Sequence, residues 1–137
     1  MSRLIRHFEE RAAELALCAS LEVIREEHGA TTHILRPHAP RAVGVVMWLG
    51  NGVTGTVRLD DPASGPAELG DDEDMDVRAI DYFIDVAREG RVVAFDVGRG
   101  GCLEVVGPDG TMRTWMNAVP WPGWRRRAVR VAYPPYR

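Results

Sequence analysis

Near the N-terminus, apolar residues recur with the spacing of an α-helix. Leu4, Phe8 and Leu15 belong to a series of apolar positions three or four residues apart, which predicts a helix over 3–19 with one buried face. Ser2 stands directly before this helix and is a residue type that caps helices. The following stretch, 20–28, fits two interpretations, a continued helix that ends before Gly29 or a strand.

A helix continued through 28 would run for about 26 residues, which is long for a domain of this size. We therefore favour a strand from Ser20, joined by the turn-like HGA at 28–30 to TTHILRP in a hairpin. The apolar run AVGVVMWL at 42–49 predicts a further strand. Asn51 and Gly52 predict a hairpin turn, because both tolerate positive φ, and 53–60 then alternates between apolar and polar residues.

The segment 60–74 is rich in Pro, Gly and acidic residues, which predicts a surface loop. A second helix follows and ends at Gly90, with a buried stripe formed by Val77, Ile80, Phe83, Ile84 and Ala87. The remaining chain predicts strands at 91–97, 102–106, 111–119 and 124–133, separated by GRGG, GPDG and PWPG.

This order of elements predicts the fold class. Helix, strands, helix and strands joined by short turns are typical of an α+β protein. We expect a single domain over 1–137, with a single, mostly antiparallel β-sheet and two helices packed on one face, in the order α-β-β-β(-β)-α-β-β-β.

Composition narrows the class of protein. Hydrophobic residues make up 45% of the 137 positions, enough for a core and against wholesale disorder. No apolar run approaches the ~20 residues that cross a bilayer, and charge interrupts the first residues where a secretory signal would be apolar. We therefore expect a cytoplasmic protein without membrane partners. Cys18 and Cys102 have no metal-binding spacing and are predicted to be buried small hydrophobic residues.

The most biased stretch is GDDEDMD at 70–76. An EF-hand loop that begins at Asp72 would need Gly at its sixth position and Glu at its twelfth, where the chain has Val77 and Phe83. Asp74 or Asp76 is predicted to cap the second helix, whose dipole favours nearby acid. The cap leaves a surplus of carboxylates, which is either a solubilising loop or a surface that binds a basic partner: Glu68, Asp71, Asp72, Glu73, Asp74 and Asp76.

The sequence motifs for metal binding, phosphate binding and catalysis are incomplete. The histidines lack HExxH spacing, although His28 and His33 would meet across the predicted hairpin with His38 nearby. GRGG at 98–101 lacks the spacing of a phosphate-binding loop, and no serine lies in a GxSxG elbow. The sequence therefore predicts no catalytic residue, no metal site and no cofactor.

Near the C-terminus, tryptophans are interleaved with arginines. This pattern suits stacking on nucleic acid, but a pI of about 5.8 argues against a direct nucleic-acid partner. Two alternatives remain: the tryptophans close one end of the hydrophobic core, or they form a protein interface. For the interface, Trp121 and Trp124 are predicted to contact the partner. Some of the arginines at 125–130 are candidates to pair with the acidic loop.

The chain opens with an amphipathic helix SRLIRHFEERAAEL and continues with strands AVGVVMWLGNGVTGTVRLD. An acidic approach to a helix follows in DDEDMDVRAIDYFIDVAREG, and the chain closes with VRVAYPPY. In this order of elements it resembles small bacterial immunity proteins that neutralise polymorphic toxins. The resemblance implies a stoichiometric inhibitor that covers the active site of a toxin, and an acidic loop would suit a basic cleft.

Three hypotheses of function follow. The first is a non-catalytic binding protein of this immunity type, with a basic protein partner. The second is a small-molecule or metal-binding domain that uses the histidines and GRGG. The third is a structural module that forms homodimers through an edge strand or the Trp-rich end.

Overall fold

The fold is α+β, as the order of elements predicts. The computed structural model describes residues 2–96, 100–117 and 122–137. Within these ranges it has three helices: α1 (Arg3–Glu14), α2 (Glu73–Arg88) and α3 (Trp124–Arg127). The strands are β1 (Ala19–Arg25), β2 (Thr31–Pro37), β3 (Val45–Leu49), β4 (Gly55–Leu59), β5 (Ala67–Leu69), β6 (Val92–Asp96), β7 (Gly101–Val106), β8 (Met112–Met116) and β9 (Val129–Tyr133).

The strands form two antiparallel sheets, so the expectation of a single sheet is wrong. The first sheet has the order β1-β2-β3-β4-β5 and the second has the order β8-β7-β6-β9. Helix α2 packs between them and contributes to their shared core. Of its predicted buried stripe, Val77 is only half-buried, whereas Val86 beside the stripe is buried and widens the buried surface. The other predicted stripe residues are buried: Ile80, Phe83, Ile84 and Ala87. A helix buried this broadly can cover both sheets, whereas one narrow stripe would cover only one.

The first sheet begins with the hairpin that the sequence favours. Strand β1 pairs with β2 along its whole length, from Ala19 opposite Pro37 to Arg25 opposite Thr31. The turn between them needs positive φ at His28 (65°) and Gly29 (87°). The alternative of a helix continued through 28 is therefore excluded.

One face of the first sheet forms much of the core. Val45, Met47 and Leu49 of β3 are fully buried, whereas Trp48 on the opposite face is 40% exposed. Helix α1 covers the buried face, where the ring of Phe8 lies 6.1 Å from that of His33. Ser2 caps α1 as predicted, since its Oγ accepts a hydrogen bond from the Leu4 amide at 3.2 Å.

The second sheet contacts the other side of α2. Trp115 of β8 stacks on Phe83 with 5.8 Å between ring centroids, and the Arg113 guanidinium lies over the ring of Tyr82. Gly65, in the loop between β4 and β5, lies against Trp115, where a Cβ atom would approach the indole to 2.2 Å. The two sheets, α1 and α2 thus share one hydrophobic core.

Several predicted boundaries are wrong for local reasons. Helix α1 ends at Glu14 rather than Ala19, because a tight turn at 15–18 carries Ala19 into the core at the start of β1. The predicted surface loop 60–74 contains β5 and a buried Ala63. Residues 124–127 form a helical turn instead of a strand, because Gly123 (φ 77°) reverses the chain and Trp124 packs on Phe95.

Parts of four predictions fall outside the described ranges, namely Val97 of one strand, 98–99 of GRGG, 118–119 of another strand, and 120–121 of PWPG. Of the two cysteines, Cys102 is buried as predicted, whereas Cys18 is half-buried and its thiol donates to the Leu15 carbonyl oxygen. Among the described helices, none combines the length and apolar character that a membrane span requires.

Candidate functional site

The acidic stretch lies at the N-terminus of α2, and one of its residues caps the helix. The Asp72 carboxylate accepts hydrogen bonds from the amides of Asp74 at 2.9 Å and Met75 at 3.3 Å. The prediction of Asp74 or Asp76 as the cap is wrong, because the helix starts at Glu73 and places those residues inside its first turn. The first-turn acids still complement the positive end of the helix dipole.

Asp76 stabilises the fold and is not part of the exposed acidic surface. Its side chain is buried, and Oδ2 accepts a hydrogen bond from the Gly70 amide at 3.0 Å. Gly70 has φ 127°, a conformation that suits glycine, and a Cβ there would approach Thr54 Cγ2 to 2.6 Å. Asp76 therefore fixes the entry into α2 and is not available to a partner in this conformation.

The other five predicted acidic residues are exposed and close in sequence, and together they form what we term the acidic corner: Glu68, Asp71, Asp72, Glu73 and Asp74. Arg3 is the cation paired with the corner within the described residues. Its guanidinium lies 3.3 Å from Glu73 Oε2 and 3.0 Å from Asp74 Oδ1. These carboxylate side chains remain 55% and 75% exposed, so the ion pairs are solvated and the corner keeps a negative charge.

Trp48 lies on the same outer face of the first sheet as Glu68. The strand registers place Trp48 opposite Thr56, and Thr56 opposite Glu68. On the other side of Trp48, the row continues through Thr32 to Ile24, which is 42% exposed. An exposed tryptophan in the middle of a sheet is thus separated from the acidic corner by one residue.

Trp48 was not among the predicted site residues, because AVGVVMWL is a continuous apolar run in the sequence. The alternation of buried Met47 and Leu49 with Trp48 is the signal that identifies its outward direction. Gly50 supports this arrangement, since a Cβ there would lie 3.0 Å from Trp48 Cη2. The indole therefore lies along the strand over a residue without a side chain.

The two C-terminal tryptophans are not brought to the acidic corner. Trp124 is half-buried on the outer face of the second sheet, edge-on to Phe95 at 5.8 Å. Arg125 covers the rings of Trp124 and Phe95 and forms an ion pair with Glu104, not with the acidic loop. Trp121 lies outside the described residues.

The geometry around the histidines does not form a metal site. Among the residues that the structure describes, no group of three or more His, Cys, Asp or Glu side chains is placed to hold a metal ion. His33 is buried and its Nε2 lies 3.0 Å from Thr31 Oγ1, whereas His28 is exposed in the hairpin turn. Burial lowers the pKa of His33, which favours the neutral form of the ring.

Ser20 and His38 form a hydrogen bond of 3.0 Å at the end of the first hairpin. Both side chains are outside the core, and no carboxylate within the described ranges is hydrogen-bonded to the ring of His38. A serine nucleophile needs a histidine that a third group orients, together with donors for an oxyanion. Among the residues that the structure describes, no carboxylate therefore orients His38 as the base for Ser20.

A cavity of about 280 Å³ lies beside the loop that follows β4. Its polar lining is engaged within the protein: Asp61 accepts from Tyr133 Oη and from the Ala63 amide, and Asn117 bonds the Gly101 amide and the Pro62 carbonyl. Cys102 also lines it, but burial raises the pKa of the thiol, which opposes formation of a reactive thiolate. The polar groups named here are therefore already hydrogen-bonded within the protein.

Comparison with known proteins adds no functional assignment. No family model matches the chain, and neither a curated protein nor a solved structure shows significant similarity to it.

Proposed function

We propose that this chain is a non-catalytic binding protein of the immunity type, which inhibits a bacterial toxin by covering a basic active-site cleft. The observation that carries the proposal is the acidic corner. Only Asp72 among its five exposed carboxylates has a capping role, and among the described residues Arg3 is the cation that pairs with Glu73 and Asp74. The acidic corner therefore contains more carboxylates than the N-terminus of α2 needs for its cap.

Surface charge of this kind acts mainly on encounter and specificity. A negative patch accelerates association with a positive cleft and disfavours partners of like charge. Affinity usually comes from a few buried anchors, among which tryptophan is prominent. Trp48 provides such an anchor, since it is 40% exposed and lies in the same cross-strand row as Glu68.

The test begins with the product of the gene adjacent to the one that encodes this chain. Co-expression of that product with and without this protein should show toxicity that the protein suppresses, and the purified pair should form a one-to-one complex. A neighbouring product that is harmless, or that does not bind, would contradict the proposed function.

The anchor can be tested with two matched variants. Trp48→Ala should weaken the complex by about 2 kcal/mol, a typical loss for an interface anchor. Trp124→Ala removes the same side chain from the outer face of the second sheet and tests the sequence prediction that Trp124 contacts the partner. An equal loss from both variants would place the interface across both sheets, and a loss from Trp124→Ala alone would refute the role of Trp48.

A further inference from the structure

Strand β1 is an edge of the first sheet, and its free side is well defined. The His38 amide donates to the Cys18 carbonyl, and the Glu26 amide donates to the Ala30 carbonyl. Because inter-strand hydrogen bonds involve every second residue of an antiparallel strand, the even-numbered positions of β1 bond to β2. The backbone groups of Leu21, Val23 and Arg25 therefore point away from the sheet.

This edge has few of the features that protect exposed strands. Over its seven residues it has no proline, and within the described residues no segment pairs with its free side. Val23 is 38% and Ile24 is 42% exposed, so apolar side chains accompany the free backbone groups on both faces. The opposite edge, β5, is only three residues long. Strand β1 is thus suited to accept another strand.

The charges of β1 select its partner and register. In a symmetric antiparallel pair, the residue on the two-fold axis lies opposite its own copy. A pair centred on Glu22 opposes two carboxylates, and a pair centred on Ile24 opposes Glu22 and Glu26 twice. A pair centred on Val23 opposes no like charges, since Glu22 then faces Ile24 and Leu21 faces Arg25.

A pair centred on Leu21 also avoids opposing charges, but it brings Val23 opposite Ala19 and moves Ile24 beyond the paired strand, opposite Cys18. The Val23 register instead places both exposed apolar residues within the paired segment. We propose that β1 pairs with β1 of a second copy of this chain with Val23 on the two-fold axis, which joins the two five-stranded sheets into one. Pairing of one strand edge is a small interface, so the dimer should depend on protein concentration.

Charged substitutions of Val23, the residue on the proposed two-fold axis, test both the dimer and its register. Val23→Lys and Val23→Glu should each be monomeric in sedimentation experiments, because each puts like charges opposite one another. An equimolar mixture of the two should restore the dimer. Val131→Lys is the matched control, since Val131 is a similarly exposed valine (42%) on β9 and its substitution should leave the dimer intact.

Hydrogen exchange on the unmodified chain gives a second readout that no folding defect can affect. The amides of Leu21, Val23 and Arg25 should become protected as protein concentration rises, whereas those of Glu22 and Ile24 should be protected throughout. A wild-type chain that stays monomeric at high concentration, a Val23→Lys chain that still dimerises, or a mixture that stays monomeric would overturn the proposal.

Discussion

Helix α2 has two groups of acidic residues with different surroundings. Asp81 and Asp85 face α1, where Arg11 reaches them with nitrogen–oxygen distances of 2.7 and 2.6 Å and His7 Nε2 lies 2.7 Å from Asp81. The acidic corner at the start of the same helix faces solvent, with Arg3 as its exposed counter-ion. Acidic residues of α2 therefore join it to α1 at Asp81 and Asp85, whereas at the start of the helix they exceed the number needed to cap it.

Burial explains the difference between the two groups. The Arg11 side chain is only 16% exposed, whereas that of Arg3 is 51% exposed. Burial alone lowers the pKa of Arg11, but hydrogen bonds to Asp85 and Asp81 outweigh it and raise the pKa above its ordinary value. Acidic residues in partly buried ion pairs stabilise the fold, whereas those in solvated ion pairs are available to bind a partner.

The largest effect should come from the buried group. Arg11→Met keeps the aliphatic stem but removes the cation that Asp81 and Asp85 share. His7 beside Asp81 and Arg88 at 3.5 Å from Asp85 remain, so the free energy of unfolding should fall by about 2 kcal/mol. Urea denaturation measures it. Arg3→Met is the matched control and should change stability much less, and equal losses from the two variants would remove the distinction between the groups.

The helix cap should have a smaller effect. Asp72→Ala removes the acceptor for the amides of Asp74 and Met75 and should lower the free energy of unfolding by about 1 kcal/mol. Asp72→Ser supplies another capping oxygen and should recover most of that loss in the same denaturation experiment. A larger loss from Asp74→Ala than from Asp72→Ala would show that the cap is assigned to the wrong residue.

Neutralising the rest of the acidic corner should scarcely alter stability. The combined variant Glu68→Gln, Asp71→Asn, Glu73→Gln and Asp74→Asn should stay within about 0.5 kcal/mol of the wild-type free energy of unfolding, as expected for surface positions. Asp81→Asn with Asp85→Asn, from the same helix, should cost clearly more. If the corner variant lost as much, its carboxylates would be needed for folding.

His33 should have an effect that appears only on acidification. Its pKa in the fold is lowered from 6.5 by burial, so the unfolded chain takes up a proton first as pH falls. Its contribution to stability is therefore complete above pH 6.5 and declines as pH falls toward the lowered value. Unfolding followed from about pH 7 to pH 5 should show this decline in the wild type and in His38→Gln, but not in His33→Gln; a decline that survives in His33→Gln would assign it elsewhere.

Local pattern was sufficient for much of the fold. The period of Leu4, Phe8 and Ala12 predicts α1, and the turn-like HGA between two strand-like segments predicts the hairpin at 28–30. The number of sheets could not be predicted, since strand order alone does not say whether β6–β9 join β1–β5. That choice depends on how broadly α2 is buried, and Val86 is indistinguishable in sequence from any apolar residue beside the stripe.

The candidate site was only partly predictable for similar reasons. Clustering of acid identified the corner, but it did not separate buried Asp76 from exposed Asp74, because that difference arises from a contact with Gly70. The cap lies at Asp72, two residues before the first predicted candidate, Asp74, and four before the second, Asp76; only the smaller difference is within the uncertainty of a helix boundary. The position of Trp48 beside Glu68 depends on the pairing of β3, β4 and β5, which only the tertiary structure provides.

The most direct test is the salt dependence of binding between this protein and the product of the adjacent gene, measured by calorimetry. The corner variant should bind at least about tenfold more weakly at low salt and should lose most of the salt dependence. Its control raises the net charge equally at four exposed positions elsewhere, all changed to Gln: Glu10, Glu14, Glu26 and Glu27. Wild-type affinity and salt dependence in the corner variant, or equal losses in both variants, would contradict a role for the acidic corner in binding.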